Sequence, residues 1–263
     1  AADGKAASEL FLPERYSACG EDEDTVSMAL TAMRRLLRRC GVRPEEVGQL
    51  QLGSASLLDR SKSMKTELMA LVEASGSAPA EGVDALSDTA ALLGCVSWAQ
   101  GGAWDGRWAV AVCSESVAAC RPASSGAVAV AVLVGSSASF SFRLQPHSIG
   151  RLELCPRSRR MAMPLAPDDS AERSGVRSDV ASPWLAALSG SLCTASACIH
   201  LATLLVSATA TGSGASIGVM VSDASAWTLR MHGAATIDPT LRAKLAARAP
   251  REPAAFGAIC ARR

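Results

Sequence analysis

The chain has few aromatic residues and almost no net charge, and each shortage argues against a class of protein. Phe, Trp and Tyr make up 4% of its 263 residues, so a core must be built mainly from smaller apolar side chains. The net charge of +1 provides no electrostatic basis for nucleic acid as the main ligand. No apolar run reaches the roughly 18 residues of a membrane-spanning helix, so we expect no membrane span.

The nine cysteines form neither a metal motif nor a disulfide framework. None of them belongs to a C-x-x-C pair, which argues against a zinc site of the usual spacing. The odd count in a chain of this length argues against a disulfide scaffold. We therefore expect no metal and no cofactor, and a reducing compartment such as the mitochondrial matrix, the cytosol or the plastid stroma.

Arginines cluster at two places, although the whole chain is nearly neutral. A solvated helix face and a solvated loop are the favoured interpretation, and an acidic protein partner, a phosphate or RNA is the alternative. The clusters are Arg34, Arg35, Arg38 and Arg39, and then Arg157, Arg159 and Arg160.

Hydrophobic periodicity predicts alternating helices and strands, and hence an α/β protein. Asp24 is expected to cap a helix that runs to Cys40 and stops at Gly41. The apolar run at residues 127–134 is typical of a strand buried on both faces, with residues 139–143 as its hairpin neighbour. Further helices are predicted at residues 61–74, 89–99, 183–207 and 239–249, and further strands at residues 10–12, 49–53, 107–113, 215–221 and 226–231.

Residues 42–66 carry the most specific pattern in the chain. They resemble, without a gap, a segment of hydroxymethylglutaryl-CoA synthase. Other motifs similar to that family follow the same order along roughly half to two-thirds of the chain. They are residues 9–16, 19–29, 81–84 with 89–92, 104–109 (Trp-Asp-Gly-Arg-Trp-Ala), 121–131 and 217–220.

The resemblance implies a thiolase-like layered α/β fold, here reduced, with pocket loops and part of the second half missing. Residues 1–144 would form an N-terminal thiolase-like half, and residues 183–263 the remnant of a C-terminal half. Residues 145–182, rich in Pro, Ser, Arg and Asp, are predicted to form a long irregular loop between them. We expect one compact domain overall.

The resemblance also implies an enzyme whose catalytic residues are missing. The family condenses acetyl-CoA with acetoacetyl-CoA, and this needs a cysteine nucleophile, a glutamate base and a histidine. Ala55 occupies the position of the base. The nucleophile loop is reduced to Ala85, Leu86, Ser87 and Asp88, without the cysteine. The segment that carries the family histidine has no counterpart, so we predict no catalytic residue.

Other side chains are candidates to replace the missing catalytic residues. Cys95 lies two helical turns too late and is expected to pack in the core. Ser87 has no histidine or paired acid nearby in the sequence that would activate it. Lys62 and Lys65 could contact a phosphate, although a structural role is favoured. The histidines match no family motif: His200 is expected in the core, and His147 and His232 at the surface.

Three functions are compatible with this pattern. The first is an inactive hydroxymethylglutaryl-CoA synthase-like scaffold that serves as a structural subunit of a larger, mitochondrial complex. Its partners would be proteins, including a thiolase-like dimer mate. The second is an active acyl-CoA condensing enzyme with altered residues, using Cys95, Cys113 or Cys120. The third is a non-catalytic sensor that binds CoA or a lipid thioester.

Overall fold

The computed structural model describes residues 17–20, 22–57, 59, 61–73, 79–85, 88–102, 104–116, 126–135, 140–144, 198, 216–221, 225–231 and 240–248. The chain divides into two compact units. The first comprises Ala1–Ser136, Trp184–Cys198 and Arg248–Arg263, and the second comprises Ser137–Pro183 and Ile199–Ala247. The division predicted from the sequence, at residues 144 and 182, stays a prediction.

The described elements alternate between helix and strand. In chain order they are α1 (Thr25–Cys40), a 3-10 turn (Pro44–Glu46), β1 (Val47–Gly53), α2 (Met64–Glu73), β2 (Glu81–Ala85), α3 (Asp88–Ala99), β3 (Trp108–Ser116), β4 (Ala127–Val134), β5 (Phe140–Leu144), β6 (Ser216–Val221), β7 (Ser225–Met231) and α4 (Leu241–Ala246).

The first unit contains a four-stranded mixed sheet in the order β2-β1-β3-β4. Strand β1 pairs in parallel with both β2 and β3, whereas β4 runs antiparallel to β3. Every residue of β1 is buried, because strands lie on both of its sides and helices α2 and α3 pack against it. Strand β1 is therefore the centre of the unit.

The two faces of this sheet differ in the size of their side chains. On one face Leu50, Leu52, Val110 and Val112 join a cluster with large side chains from α1 and α2. Side chains alternate along a strand, so Gln51 and Cys113 belong to the opposite face. That face contacts α3, whose close approach depends on Gly94, because an added Cβ there would meet the Gln51 amide.

Local chemistry explains the limits of α1. The Asp24 carboxylate accepts a hydrogen bond from the Ser27 amide at 2.7 Å, and the Ser27 hydroxyl accepts one from the Asp24 amide at 2.9 Å. This reciprocal capping satisfies two backbone donors at the helix start. Gly41 ends the helix with φ +64°, a left-handed conformation that glycine adopts without strain. The predicted start and end of this helix are confirmed.

Two strand predictions were wrong in part. Residues 127–134 do form β4, but all of them except Ala127 are only half-buried, because β4 has one neighbour among the described strands. Strand β3, which has two neighbours, is buried over nearly its whole length, and β1 is buried over all of it. Residues 140–144 form β5, which pairs antiparallel with β7 in a second sheet and not with β4. An apolar run predicts a strand but not its partner.

Strand β2 was not predicted. Its sequence, Glu-Gly-Val-Asp-Ala, lacks a run of β-branched or aromatic residues, and three of its five side chains are exposed. It forms because its backbone pairs with β1, from Gln49 with Glu81 to Gly53 with Ala85. Pairing with a buried neighbour has outweighed a weak local propensity.

The second unit contains a three-stranded antiparallel sheet in the order β5-β7-β6. Helix α4 also belongs to this unit, and it is shorter than the predicted residues 239–249. The prediction for residues 10–12 falls outside the described residues, and within residues 183–207 only Cys198 is described, as a buried helical residue. Among the described residues, no helix has the length and hydropathy to cross a bilayer.

We predict that Gly48→Ala destabilises the protein. An added Cβ at this position would lie 2.6 Å from the Trp98 ring and 3.0 Å from the Cβ of Arg107, and neither group is free to move far. Such overpacking costs about 1–3 kcal/mol, which urea-induced unfolding will measure.

Gly102→Ala is the matched control for this substitution. An added Cβ at Gly102 meets no atom within 4 Å, so its free energy of unfolding should stay within about 0.5 kcal/mol of the wild type. Equal unfolding midpoints for the two variants would contradict the packing described around Gly48.

Candidate functional site

Three parallel strands bring the predicted site positions to one edge of the sheet. Gly53 at the end of β1 pairs with Ala85 at the end of β2 and with Cys113 near the end of β3. Ala55 lies two residues after the end of β1, and the segment predicted to be a reduced nucleophile loop begins at Ala85, the last residue of β2. We call this region, residues 53–56, 85 and 113–116, the carboxyl edge. In open α/β sheets, ligands bind at the carboxyl ends of strands.

Two hydrogen bonds hold the loop after β1 against the end of β3. The Ala55 amide donates to Oε1 of Glu115 at 2.6 Å. The Ser116 amide donates to the Ser56 hydroxyl at 2.8 Å, and the Cys19 thiol donates to the Ser116 hydroxyl at 3.4 Å. The loop is therefore held by the Glu115 carboxylate on its backbone and by the hydroxyl of Ser56.

Glu115 is a buried carboxylate that the sequence analysis overlooked. Its side chain is 0% exposed, although it carries an ionisable group. Acidic side chains are rarely buried completely, and a hydrogen bond to a backbone amide offsets part of the cost. The sequence feature that indicates such a residue is a single glutamate at the end of an apolar strand, in Val-Cys-Ser-Glu-Ser.

Ala55 lies at the carboxyl edge with an exposed side chain. A methyl group neither accepts nor releases a proton, so this position has no role in proton transfer. The carboxylate nearest to its backbone, Glu115, comes from a different strand and holds the Ala55 amide. The edge thus contains a carboxylate, but one that is already engaged in holding the loop.

The reduced nucleophile loop is only partly described. Ala85 ends β2 as a half-buried residue, and the backbone of Asp88 begins α3. Leu86 and Ser87 lie outside the described residues, as does the side chain of Asp88. The expectation that Ser87 has no partner to activate it therefore stays a prediction.

Cys95 lies in α3, seven residues after the helix begins, and is 0% exposed. Burial raises the pKa of its thiol to about 12, and a hydrogen bond with the backbone of Gln51 opposes this only in part. A thiol needs its thiolate form to act as a nucleophile, so Cys95 is unsuited to accept an acyl group near neutral pH.

Of the other two cysteines predicted as replacement nucleophiles, the structure describes Cys113 but not Cys120. Cys113 is 1% exposed and lies with its Sγ atom 3.7 Å from that of Cys198. Cys120 falls outside the described residues, and so do His147, His200 and His232. Within the described part of the chain, no group of three or more His, Cys, Asp or Glu residues is placed to hold a metal ion.

Hydrogen bonds and an ion pair within the chain hold the segment around Lys62 and Lys65. Asp84, near the end of β2, accepts hydrogen bonds from the Ser63 hydroxyl and, at 3.2 Å, from the Lys65 amide at the start of α2. Lys62 forms an exposed ion pair with Asp59 at 3.9 Å. Because a carboxylate already occupies the donors at the N-terminus of α2, the arrangement favours the structural role over a phosphate site.

A family model describes the first half of this chain. Residues 4–139 match the model for the N-terminal part of hydroxymethylglutaryl-coenzyme A synthase. The match contains every element from α1 to β4, and therefore the whole carboxyl edge.

Curated relatives agree with this match. The mitochondrial hydroxymethylglutaryl-CoA synthase of Sus scrofa is 40% identical over 127 residues, which are 46% of this chain and 25% of that protein. The cytoplasmic enzyme of Gallus gallus is 38% identical over 132 residues, which are 47% of this chain and 25% of that protein. The matched region thus spans a quarter of the length of each relative.

A solved structure extends the likeness to the fold. PksG, an HMG-CoA synthase from Bacillus subtilis, matches 98% of this chain and 81% of its own with a TM-score of 0.65 and 14% identity. At that identity the likeness concerns the fold alone. The chain has a reduced thiolase-like α/β fold, as expected from the sequence motifs.

We predict that Glu115→Ala loosens the loop after β1. The substitution removes the acceptor of the Ala55 amide and should lower the free energy of unfolding by about 2–3 kcal/mol. Hydrogen–deuterium exchange at the Ala55 amide should become faster, because the amide then lacks its acceptor. Glu115→Gln keeps an oxygen acceptor and should show a smaller loss.

Glu67→Ala in α2 is the control, because it removes an exposed carboxylate and should change stability by less than about 0.5 kcal/mol. Unchanged exchange at Ala55 in the Glu115→Ala protein would show that the carboxylate does not hold the loop.

Proposed function

The chain belongs to the hydroxymethylglutaryl-CoA synthase family, and from that premise we propose that it is a catalytically inactive member. Its role would be that of a structural or accessory subunit in a larger multiprotein assembly. The proposal is supported by the carboxyl edge, where Ala55, which the sequence resemblance assigns to the position of the family base, has its amide bonded to Glu115.

The state of the thiols supports the proposal. Acyl transfer from CoA needs an accessible thiolate close to the base. Cys95 is buried with its pKa raised to about 12, and Cys113 is buried at the strand end. Neither provides an exposed nucleophile at the carboxyl edge.

Strand β2 is the surface that we propose for a protein partner. It pairs with β1 on one side, and among the described strands none lies on its other side. Val83 in this strand is 43% exposed, with Glu81 and Asp84 exposed beside it. An exposed strand edge offers unpaired backbone groups to another chain. A subunit that performs no acyl transfer would use this edge to bind a second copy of the chain or another thiolase-like chain.

We propose a mitochondrial location for this assembly. The buried cysteine thiols suit a reducing compartment, and the Sus scrofa relative is a mitochondrial protein. The Gallus gallus relative is cytoplasmic, so the cytosol is the alternative location.

A second function is an acyl-CoA condensing or CoA-binding protein with altered residues. The observation that favours it is the Glu115 carboxylate, which lies at the same edge as the missing base. In that case Glu115 would act in place of the residue at position 55, and a cysteine other than Cys95 would accept the acyl group.

We predict that the full chain does not become acetylated by acetyl-CoA. The protein is incubated with radiolabelled acetyl-CoA at neutral pH, and its peptides are then examined by mass spectrometry. No acyl-cysteine is expected, because the nucleophile of the family is missing from the reduced loop.

Ala55→Glu serves as the matched variant in this experiment. It restores the carboxylate without a nucleophile, so it should also remain unlabelled. A specific acyl group on Cys95, Cys113 or Cys120 in the wild-type protein would contradict the proposed inactivity and favour the second function.

We predict that Val83→Lys disrupts the assembly. A charge in the middle of the exposed edge of β2 opposes strand pairing with a partner. In native gels and sedimentation of an extract, the wild-type chain should run in a species larger than the monomer, and the variant should shift to a smaller one.

Ala70→Lys, at an exposed position of α2, adds the same charge away from the edge and should leave the larger species intact. A wild-type chain that runs only as a free monomer would contradict the subunit proposal. A Val83→Lys chain that stays in the larger species would exclude β2 as the contact.

A further inference from the structure

Cys113 and Cys198 are far apart in the sequence but adjacent in the first unit. They are 85 positions apart, and their Sγ atoms lie 3.7 Å from each other. The two side chains are 1% and 3% exposed. From this juxtaposition we propose that the two thiols form a reversible intramolecular disulfide when the protein meets a hydroperoxide.

The geometry suits bond formation with a small movement. A disulfide has an S–S distance of about 2.05 Å, so the sulfur atoms must approach each other by less than about 2 Å. Cys113 is held in β3, where it pairs with Gly53 on one side and with Val130 on the other. Because the backbone of Cys113 is fixed in the sheet, the approach requires side-chain rotation and a small shift at residue 198.

This pair differs from the other described cysteines. Cys40 is exposed at the end of α1, and Cys95 contacts the backbone of Gln51 from within α3. Cys19 donates to the Ser116 hydroxyl and lies 3.6 Å from the Met28 sulfur, which forms no disulfide. Among the described cysteines, Cys113 and Cys198 are the two whose thiols contact each other.

The reaction balances with hydrogen peroxide as the oxidant. One thiol attacks the peroxide, so that its sulfur gains an O–H group, the O–O bond breaks and water leaves. The second thiol then attacks the sulfenic sulfur, the S–S bond forms and a second water leaves. The two cysteines lose two protons and two electrons in total, which together are two hydrogen atoms, and the peroxide is reduced to two molecules of water.

Burial controls how fast this bond forms and breaks. Peroxide reaches the thiols when the structure opens locally, so oxidation is slower than at an exposed cysteine. The same burial protects the finished bond from thiol reductants. The disulfide therefore forms under sustained oxidation and is reduced slowly.

The bond would strengthen the strand that carries the carboxyl edge. Glu115 and Ser116, which hold the loop after β1, follow Cys113 in the same strand. A covalent link from Cys113 to residue 198 restricts the separation of β3 from the rest of the first unit. Closing a loop of this length also restricts the unfolded chain, which raises stability.

The test is peptide mapping of the full-length native protein after exposure to hydrogen peroxide. The protein is alkylated without reduction and digested, and the peptides containing residues 113 and 198 are sought as one linked species. The expected product has lost the mass of two hydrogen atoms, and its melting temperature is higher by roughly 10 °C. Dithiothreitol should reverse both changes.

Variants identify the pair. Cys40→Ala removes the exposed thiol and should still form the linked species, whereas Cys113→Ala and Cys198→Ala should not. If Cys113→Ala or Cys198→Ala fails to fold, the peptide map of the wild-type protein alone decides the proposal. Absence of the linked peptide in native wild-type protein, or its appearance only in urea alongside scrambled pairs, would overturn the proposal.

Discussion

Strand β1 is the element on which the rest of the first unit depends. It is buried along its whole length and pairs in parallel with β2 and β3. A parallel strand inside a sheet must satisfy its backbone groups on both sides and its side chains on both faces. Large side chains, such as Leu50 and Leu52, fill one face, while the other admits helix α3 close to Gln51. The parallel register then brings the ends of all three strands to one edge.

That edge separates what the fold requires from what the reaction of the family requires. The core needs apolar volume and strand pairing, which the segment from α1 to β4 retains. The reaction of the family needs particular side chains on the loops after the strands, and loops can change with little effect on the core. At position 55 the side chain is a methyl group, and the backbone amide is bonded to Glu115. The loop is held in place without the group that would transfer a proton.

Much of the fold could be predicted because it rests on local chemistry. The limits of α1 follow from Asp24 and Gly41, whose capping roles involve only neighbouring residues. Strand β2 escaped prediction because its residues have weak strand propensity, and only its pairing with β1 makes it a strand. The partner of β5 was predicted wrongly for a related reason, since its strand neighbour β7 lies far along the chain. Glu115 was overlooked because its role depends on a loop 60 positions away.

The sequence by itself determined the family and the absence of a carboxylate at position 55, since both depend on the identity of residues in an ungapped segment. It also determined the apolar patterns from which the helices and strands form. Only the tertiary structure decided that Ala55, Ala85 and Glu115 share one edge, and that Cys113 touches Cys198. These contacts join residues that are distant along the chain. They arise from strand order and register, which the free energy of the whole packed unit decides and no local pattern encodes.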